Sequence, residues 1–577
     1  MTLRIGIDVG GTNTDAVVLD ETDRVVAKAK HPTTPDVTGG LRAALDAVLA
    51  ELSQTARETE RTHTTATDEA GHTDTADAGG AGRAARAGTG GAGAGGAERG
   101  GAAGGAGWGG AAGGAGWGGV AGVGRVMLGT THATNAILER RNLGRVAVVR
   151  LGAPATTSVP PLTDWPADLR AAVSAGEAIL PGGHYVDGRP ISPLDLDAVR
   201  RFLDGVQADA VAVSGVFSPA DAEHERLVGD LVEREYGLPV SLSHEIGSLG
   251  LLERENATVL NAALYGVAAA VTKALVEALA ERGLTARPYL AQNDGTLMTV
   301  EYAARLPVST IGSGPANSLR GAAFLSGVKD AIVADVGGTS TDLGVLTAGF
   351  PRESAAAVEI GGVLTNFRMP DILAIAMGGG TRLRPGAVGP DSVGYRLAES
   401  ALVFGGSVPT MTDAGVYAGR MRETPPGWHA ALDRHADAAG LLAAGLAVAD
   451  EMVADAVDRM SLGRSDRPLV AVGGGAFLLA ERIAGVSQVI RPEHAEVANA
   501  VGAAIALASG RVDTIVPAGA GRARAIERAK EEAAAKAVQA GADPARVELV
   551  DVHEVPLSYL AEPAVRLHVK AAGPLSN

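Results

Sequence analysis

The chain has 577 residues, of which 46% are hydrophobic but only 3% aromatic, and it carries a formal net charge of −16. This length predicts two or three domains, and the acidic charge argues against nucleic acid or an anionic membrane as a main partner. Because the chain has no cysteine, disulfides, thiolate nucleophiles and cysteine-ligated metal sites are excluded.

The first fifty residues predict a hairpin followed by a helix. Residues 3–8 and 15–20 are predicted strands on either side of a Gly-Gly-Thr turn, and residues 24–29 are a third strand. The helix that follows has apolar residues at the spacing of one helical face. These residues are Leu41, Leu45, Val48, Leu49 and Leu52. Neither a signal-peptide pattern nor an apolar run of roughly 18 residues is present, so we expect a soluble cytoplasmic protein.

The composition changes abruptly after the first helix. Residues 53–124 are rich in Thr, Ala and Gly, and Gly-Trp-Gly-Gly occurs in them twice. Such a segment cannot bury enough apolar surface to offset the loss of chain entropy on folding. We therefore predict a disordered, low-complexity insertion between residues 53 and 124.

Strands and helices alternate through the rest of the chain. Residues 145–150 and 210–216 are predicted strands, and residues 256–282 are a predicted long helix. This alternation is typical of an α/β protein. A charged helix and two strands at the C-terminal end, within residues 511–577, predict a small α+β extension.

The first hairpin has a near copy later in the chain. Residues 7–19 and 334–346 are identical at nine of thirteen aligned positions. A repeat of this length within one chain indicates two similar domains, each with the same loop. A single Gly-Gly would be explained equally well as a tight hairpin turn, but two matching copies favour a shared ligand.

The loop residues are suited to phosphate. Paired glycines permit positive φ and close approach of a ligand, and successive N–H groups can converge on phosphate oxygens. The aspartate before each glycine pair is a hard oxygen ligand suited to Mg²⁺. We therefore predict ATP with Mg²⁺ between the hairpins. The predicted phosphate-binding residues are Gly10, Gly11, Thr12, Asn13, Thr14, Gly337, Gly338, Thr339, Ser340 and Thr341.

The same hairpins supply the predicted catalytic residues. Asp8 and Asp335 are the predicted metal ligands, and Thr12 and Thr339 add hydroxyl donors. Asp15 and Asp342 either orient water or donors in the reaction, or hold their own hairpins through N–H contacts. The sequence leaves both alternatives open.

Paired hairpins followed by a glycine-rich strand end resemble the actin, sugar-kinase and Hsp70 superfamily of ATPases. The strand end is Val470-Ala-Val-Gly-Gly-Gly-Ala476. The resemblance implies two ribonuclease H-like domains around a central nucleotide cleft, with Gly473, Gly474 and Gly475 forming the adenosine-binding turn. It also implies that residues 496–506 form a connecting helix of small residues.

Within this superfamily the chain resembles the hydantoinase A/oxoprolinase family. The matching segments are residues 129–137, 243–246, 293–298, 313–316, 377–380 and 410–414. The resemblance implies a hydantoinase/oxoprolinase N-terminal domain at residues 1–52 and 125–255, and a hydantoinase A-like domain at residues 256–510. Two departures are Thr381-Arg-Leu after the Gly-Gly-Gly run and the absence of the longer members' C-terminal region.

This resemblance also implies a reaction. ATP would phosphorylate the carbonyl oxygen of a lactam or cyclic ureide, such as hydantoin or 5-oxoproline, and water would then open the ring, often with a hydantoinase B-like partner subunit. Alternatives are a small-molecule kinase, a subunit of an ATP-dependent carboxylase, and an activator ATPase that serves a partner protein. The implied substrate residues are Thr130, Thr131, His132, Asn135, Asn293, Asp294 and Gly379. His132 is either an acid–base group or a packing residue, and residues 410–413 are either a cleft loop or a helix cap.

Overall fold

The computed structural model describes residues 3–11, 13–33, 37–70, 122–247, 249–354, 357–463, 467–519, 521–557 and 563–576. The chain divides into one compact unit of Met1–Leu52 with Gly122–Asn577 and a second unit of Ser53–Ala121. Within the second unit only the continuation of a helix to Ala70 is described, so the start of the predicted insertion is helical. The rest of the predicted insertion, up to residue 121, lies outside the described residues.

The elements of the N-terminal part are β1 (Leu3–Val9), β2 (Asn13–Leu19), β3 (Val25–Pro32), α1 (Val37–Ala70), β4 (Val123–Thr130), α2 (His132–Glu139), β5 (Val146–Ala153), α3 (Ala167–Val173), β6 (Ser174–Pro181), α4 (Leu196–Leu203), β7 (Ala210–Gly215), α5 (Glu223–Leu231), β8 (Val240–Leu242) and α6 (Ser243–Ile246). The predicted apolar face of α1 is confirmed, because Leu41, Leu45, Val48, Leu49 and Leu52 are all buried.

The central part contains α7 (Leu251–Ala263), α8 (Tyr265–Glu281), β9 (Arg287–Ala291), β10 (Leu297–Thr299), α9 (Val300–Arg305), α10 (Ser313–Ser326), β11 (Ala331–Val336), β12 (Thr341–Thr347), β13 (Phe350–Pro351), β14 (Val358–Ile360), β15 (Val363–Thr365), β16 (Ile372–Ile375), β17 (Thr381–Arg384) and β18 (Ala387–Ser392). The last part contains α11 (Leu397–Ser400), α12 (Met411–Tyr417), α13 (Trp428–Asp433), α14 (Ala439–Ser461), β19 (Leu469–Val472), β20 (Val489–Ile490), α15 (Ala498–Ala504), β21 (Ala508–Pro517), α16 (Arg522–Gln539), β22 (Glu548–Leu557) and β23 (Ala564–Gly573).

The first hairpin lies in a nine-stranded sheet of order β22-β23-β21-β10-β9-β4-β1-β2-β3. Both faces of β2 are covered, as expected of a strand in a sheet packed between helices, since its consecutive residues Ala16, Val17, Val18 and Leu19 are all fully buried. The C-terminal strands β21 to β23 extend this sheet. The predicted extension at residues 511–577 is therefore continuous with the sheet of the first hairpin. The predicted boundary at residue 256 does not separate the two sheets, because β9 and β10, which follow it, belong to the first sheet.

The second hairpin lies in a six-stranded sheet of order β13-β12-β11-β19-β20, with β16 paired to β12. The two sheets share one arrangement at the hairpins. β1 pairs antiparallel with β2 and parallel with β4, and β11 pairs antiparallel with β12 and parallel with β19. The sequence repeat therefore corresponds to a structural repeat of three strands. A separate parallel sheet, of order β6-β5-β7-β8, forms a further layer.

Helices α10 and α15 cross at backbone contact close to the first hairpin. A Cβ on Gly321 would lie 1.8 Å from the carbonyl oxygen of Ala498, and one on Gly502 would lie 1.9 Å from that of Asn317. A Cβ on Gly6 of β1 would lie 2.1 Å from the carbonyl oxygen of Ala500. Only glycine permits these three approaches, which bring α10 and α15 against the strand that carries Asp8.

The predicted long helix at residues 256–282 is wrong in one respect, because it is two helices. α7 and α8 meet at Leu264 with a bend of 47°. Among the described residues no single helix is long and apolar enough to cross a membrane, and only this bent pair would meet that requirement jointly. Residues of both helices, such as Leu260 and Leu275, are buried in the core.

Candidate nucleotide site

The two hairpins have the same register. Asp8 is opposite Asp15 in the first, and Asp335 is opposite Asp342 in the second. The Gly10 N–H donates to the carbonyl oxygen of Asn13 at 3.0 Å, and the corresponding Gly337 N–H donates to that of Ser340 at 2.9 Å. The repeat therefore holds at the level of single hydrogen bonds.

We predicted that the hairpin glycines permit positive φ and close approach of a ligand, and the first of these two reasons is wrong. None of the four described hairpin glycines, Gly10, Gly11, Gly337 and Gly338, has a positive φ. A Cβ on Gly10 would lie 3.0 Å from the carbonyl oxygen of Asn13, so a side chain at this position would be crowded. Gly11 borders open space. The Gly10 and Gly337 N–H groups are used within their own hairpins, so a ligand would meet the backbone at Gly11 and Gly338.

Both hairpins border one cavity of about 450 Å³. The glycine turn after β19 completes it, so three separate chain segments meet as the sequence predicted. The cavity is lined by Gly10, Gly11, Asn13, Asp15, Lys30, Asp335, Gly337, Gly338, Thr339, Ser340, Gly473, Gly474, Glu496, Ala498 and Asn499.

The glycine turn is shaped by the second hairpin. Gly473 has a φ of +85°, and a Cβ there would lie 2.3 Å from Asp335 Oδ1, so only glycine allows the turn to pack against this carboxylate. The Gly475 N–H donates to the carbonyl oxygen of Val336 at 2.8 Å. Gly473 and Gly474 therefore border the cavity, while Gly475 fastens the turn to the hairpin.

Asp8 lies behind the cavity and is almost completely buried, with 4% of its surface exposed. Its carboxylate accepts a hydrogen bond from Asn317 Nδ2 at 3.3 Å and another from Asn499 Nδ2 at 3.0 Å. The two asparagines come from α10 and α15, whose close crossing places them here. Burial, with the neighbouring charge of Asp15, raises the pKa of Asp8 to about 7.

The second hairpin has a similar pair of carboxyl groups. Asp335 borders the cavity, and its Oδ2 accepts a hydrogen bond from Ser318 Oγ at 2.5 Å. Burial raises the pKa of Asp335, and burial together with the Asp335 charge raises the pKa of Asp342 to about 7. Asp342 itself does not line the cavity, so the two members of the pair face different surroundings.

Lys30 is a site residue that the sequence analysis missed. It stands opposite Asp15 in the β2–β3 register, and its Nζ lies 2.9 Å from Asp15 Oδ1 and 3.0 Å from the carbonyl oxygen of Glu496. Burial raises the pKa of Asp15, and the Lys30 charge opposes that shift. The alternation of Lys28 and Lys30 on one strand was the available signal, because residues two apart on a strand share a face.

The residues present fit a divalent cation. Four carboxyl groups, Asp8, Asp15, Asp335 and Asp342, gather at the hairpins, and burial raises the pKa of each. Lys30 is the only lysine or arginine among the described residues that line the cavity. Carboxylates in such excess are stabilised by a hard cation such as Mg²⁺. Of the predicted metal ligands, Asp335 borders the cavity and Asp8 stands behind it.

Two of the predicted hydroxyl residues are not among those that line the cavity. Thr14 is buried, and its Oγ1 pairs with Thr33 Oγ1 at 3.2 Å. Thr341 is also buried and donates to the carbonyl oxygen of Met377 at 2.5 Å. Thr12 lies outside the described residues, so of the predicted threonines Thr339 alone is seen to border the cavity.

Gly379 supports the second hairpin from behind. It is buried, and its N–H donates to the carbonyl oxygen of Gly337 at 3.0 Å. The Thr412 hydroxyl in turn donates to the Gly379 carbonyl oxygen at 2.9 Å. The substrate contact predicted for Gly379 is therefore replaced by a structural contact. The helix-cap alternative for residues 410–413 is confirmed, since Thr410 and Asp413 form a capping box at the start of α12.

A second, larger cavity of about 950 Å³ begins at the first hairpin. Gly10 and Gly11 border both cavities, so the first hairpin is the wall between them. Three of the predicted substrate residues line the second cavity, and they lie at the start of α2. They are Thr131, His132 and Asn135.

His132 is held from one side by a buried hydroxyl. The ring Nδ1 of His132 is in hydrogen-bond contact with Thr130 Oγ1, and the backbone N–H of His132 donates to the same oxygen at 3.2 Å. Thr130 is buried and does not line the cavity, so its predicted substrate contact is not seen. Burial lowers the pKa of His132, which favours a neutral imidazole at physiological pH.

Asn293 and Asp294 were wrongly grouped with the cleft residues. Neither lines the two cavities at the hairpins. Asn293 accepts the Gly312 N–H at 2.8 Å before α10, and Asp294 lies 2.8 Å from Lys570 Nζ on β23. Both side chains are used to hold chain segments together, and Asp294 joins the C-terminal strand to the turn between β9 and β10.

Two family models match most of the chain. A model of the hydantoinase/oxoprolinase N-terminal region matches residues 4–70 and 113–236, and a hydantoinase/oxoprolinase model matches residues 254–512. The acetophenone carboxylase gamma subunit of Aromatoleum aromaticum is 30% identical over 255 residues, which cover 40% of this chain and 34% of that subunit. The caprolactamase subunit alpha of Pseudomonas jessenii is 28% identical over 261 residues, or 42% of this chain and 37% of that subunit. The chain thus aligns with little more than a third of the length of these relatives.

Two solved structures share the fold over almost the whole chain. The ATP-dependent caprolactamase from Pseudomonas jessenii has a TM-score of 0.71 at 20% identity, covering 100% of this chain and 88% of that chain. Nucleotide-free acetone carboxylase has a TM-score of 0.61 at 18% identity, covering 99% and 88%. These likenesses confirm the predicted α/β fold. Since the two family models together match most of the chain, it belongs to the hydantoinase/oxoprolinase family.

Proposed function

We propose that this chain is the ATP-using subunit of an enzyme that opens a small cyclic amide, a lactam or cyclic ureide of the hydantoin or 5-oxoproline type. MgATP would occupy the cavity between the hairpins, and the amide would occupy the larger cavity beside it. The observation that carries this proposal is the shared wall, because Gly10 and Gly11 border both cavities. A phosphate held on the first hairpin would therefore lie next to the amide.

The hairpin residues would bind and orient the phosphates. Open N–H groups around Gly11 and Gly338 supply donors that need no reorganisation during reaction. Asp335, with Asp15 beside it, would hold Mg²⁺ at the cavity surface, and the ion when bound supplies charge neutralisation for phosphoryl transfer. Lys30 lies at the same surface and keeps Asp15 oriented through their 2.9 Å contact.

Amides need this activation because resonance makes their carbonyl carbon a poor electrophile. The amide oxygen would attack the terminal phosphorus of ATP, forming one P–O bond while the bond to ADP breaks. Water would then add to the activated carbon, and the C–N bond would break as the ring nitrogen takes up a proton, which leaves an open-chain acyl phosphate. A second water would attack the acyl carbon, and phosphate would leave with the former carbonyl oxygen, so both carboxylate oxygens would come from water. His132, as a neutral imidazole bordering the cavity, is placed to accept the proton of the first water.

A second candidate is the ATP-using subunit of a ketone carboxylase. The 30% identity to the acetophenone carboxylase gamma subunit favours it. The phosphorylation step would be closely similar, because an enolate oxygen would replace the amide oxygen as the acceptor. Both candidate functions include a separate partner subunit, which for the amidase would be of the hydantoinase B type. This part of the proposal is supported by the names of two relatives, a caprolactamase alpha subunit and an acetophenone carboxylase gamma subunit.

The test measures phosphate release from ATP with hydantoin, 5-oxoproline and caprolactam, and with acetone or acetophenone plus bicarbonate, each with and without a candidate partner subunit. A lactam labelled with ¹⁸O at its carbonyl then identifies the step, because O-phosphorylation transfers the label to inorganic phosphate. Label found only in the ring-opened carboxylate would refute the amidase mechanism. Stimulation by ketone and bicarbonate alone would favour the carboxylase.

A further inference from the structure

A cluster of possible metal ligands lies outside both cavities at the hairpins. Ligand atoms of His184, Asp221 and Glu223 all lie within 4.8 Å of one another. His184 begins the turn that follows β6, and the two acidic residues lie at the start of α5. Nothing in the proposed reaction uses these residues, although they bring together one imidazole and two carboxylates from separate chain segments.

The imidazole of His184 is buried without a hydrogen bond. Only 2% of the residue is exposed, and among the described residues neither ring nitrogen has a partner, since its recorded side-chain contact is the ring of His224 at a centroid distance of 4.2 Å. His224 does not supply the missing bond, because its Nδ1 accepts the Gly183 N–H at 3.0 Å.

The carboxylates are also uncompensated. Within the described part of the chain, no lysine or arginine forms an ion pair with Asp221 or Glu223. Asp221 Oδ1 accepts the Glu223 N–H at 2.9 Å, which leaves Oδ2 available. The turn closes over this oxygen, since a Cβ on Gly188 would lie 3.8 Å from Asp221 Oδ2. Two carboxylates and a buried imidazole therefore lie within 4.8 Å of one another, and in the described residues no lysine or arginine pairs with either carboxylate.

We propose that His184, Asp221 and Glu223 bind one divalent transition-metal ion, with Zn²⁺ as the best match. Neutral imidazole and carboxylate oxygen are both good Zn²⁺ ligands. The ion would fasten the turn at residues 183–190 to the N-terminal end of α5, and a water molecule would complete its coordination. This site is independent of the proposed ATP chemistry, because its residues border neither hairpin cavity.

The test uses the full chain without a polyhistidine tag, stripped with a chelator and then titrated with Zn²⁺ by calorimetry, with metal content measured after desalting. We expect one high-affinity Zn²⁺ per chain and a raised unfolding temperature. Asp221→Asn and Glu223→Gln should each weaken binding by at least about tenfold and remove the thermal shift. Glu233→Gln, an exposed residue further along the same helical segment, is the matched control and should bind normally.

His184→Gln tests the third ligand, and circular dichroism without metal checks that this buried substitution folds. Co²⁺ gives a second readout, because its visible absorption reports imidazole and carboxylate ligation directly. This absorption should be lost in Glu223→Gln, and because Glu223 is exposed, misfolding would not explain the loss. Equal Zn²⁺ affinity in the three ligand variants and the control, or no stoichiometric Zn²⁺ binding by the unaltered chain, would overturn the proposal.

Discussion

Buried carboxyl groups occur in two regions of this molecule and behave in opposite ways. At the hairpins, burial and neighbouring acidic groups raise the pKa values of Asp8 and Asp342 to about 7. Under the C-terminal strands, burial would raise the pKa values of Asp294 and Asp513, but nearby cations hold both well below the usual range. For Asp294 the leading group is the Lys570 ammonium, and for Asp513 a hydrogen bond to His568 acts together with Arg368 and Arg511.

The difference separates a binding site from a structural contact. Asp294 and Lys570 form an internal pair at 2.8 Å, so their charges are balanced within the chain. The hairpin carboxyl groups have one lysine beside them, Lys30, and we propose that a cation from solution balances the remaining charge. A buried group left uncompensated in this way is a candidate for function, whereas a compensated one contributes to stability.

The largest expected effect is on turnover at the hairpins. Asp335→Asn should lower ATP hydrolysis by about 10²–10³-fold, because it removes a charge that we propose contacts the metal ion. The folded chain should lose no stability, since the substitution relieves uncompensated negative charge. The measurement is phosphate release at saturating Mg²⁺, with Asp330→Asn, an exposed residue just before β11, as the control. Normal turnover in Asp335→Asn would contradict the assignment of Asp335.

The opposite result is expected in the structural region. Asp294→Asn should destabilise the chain by roughly 3 kcal/mol, because it removes the nearer of the two carboxylates beside the buried Lys570 ammonium and leaves Glu353 at 3.6 Å. Denaturant unfolding measures this loss, and ATP hydrolysis per folded molecule should stay close to normal. A stable Asp294→Asn variant with impaired turnover would place Asp294 in the catalytic machinery instead.

The pH dependence of stability should differ between the regions. A raised pKa at Asp8 means that its stabilising contribution is complete below about pH 4 and is lost as the pH rises through about 7. The nucleotide-free chain should therefore melt at a lower temperature at pH 8 than at pH 6, and Asp8→Asn should reduce that difference. The depressed pKa of Asp294 has the opposite sign, so its contribution is lost only as the pH falls below its ordinary value near 3.8.

Thermal unfolding at pH 6 and pH 8, with and without Mg²⁺ and ATP, measures this effect. The ligands should raise the unfolding temperature more at pH 8, where Asp8 carries its charge. An identical pH dependence in the unaltered chain and in Asp8→Asn would show that the Asp8 carboxyl does not titrate near neutral pH.

The smallest expected effect is in the second cavity. Asn135→Ala should lower kcat/KM for the amide by about tenfold, as loss of one polar contact to substrate would. ATP hydrolysis without amide should be unchanged, because Asn135 does not border the hairpin cavity. An equal loss of ATP hydrolysis with and without amide would show that Asn135 does not contact the substrate.

Much of the fold followed from local patterns. The apolar spacing of α1 and the short apolar strands around Asp8 and Asp335 are local patterns, which can be recognised without knowing the tertiary contacts. The bend at Leu264 was missed because residues 256–282 have helical composition throughout, and only packing decides where such a run breaks.

The sequence by itself determined the repeated hairpin, the glycine turn near Gly473 and the family, because these are contiguous motifs with recognisable residue types. It could not determine which side chains meet. Lys30, Asn317 and Asn499 reach the site only through strand register and the glycine-permitted crossing of α10 and α15.

The tertiary structure likewise moved Asp294 and Gly379 from the predicted substrate site to supporting positions, and placed the C-terminal strands in the sheet of the first hairpin. Motif residue types carry no record of burial or of the neighbour across a sheet. Whether a conspicuous aspartate meets a lysine or another aspartate depends on long-range packing, and that packing separates the carboxylates that stabilise this chain from those placed to bind its ligand.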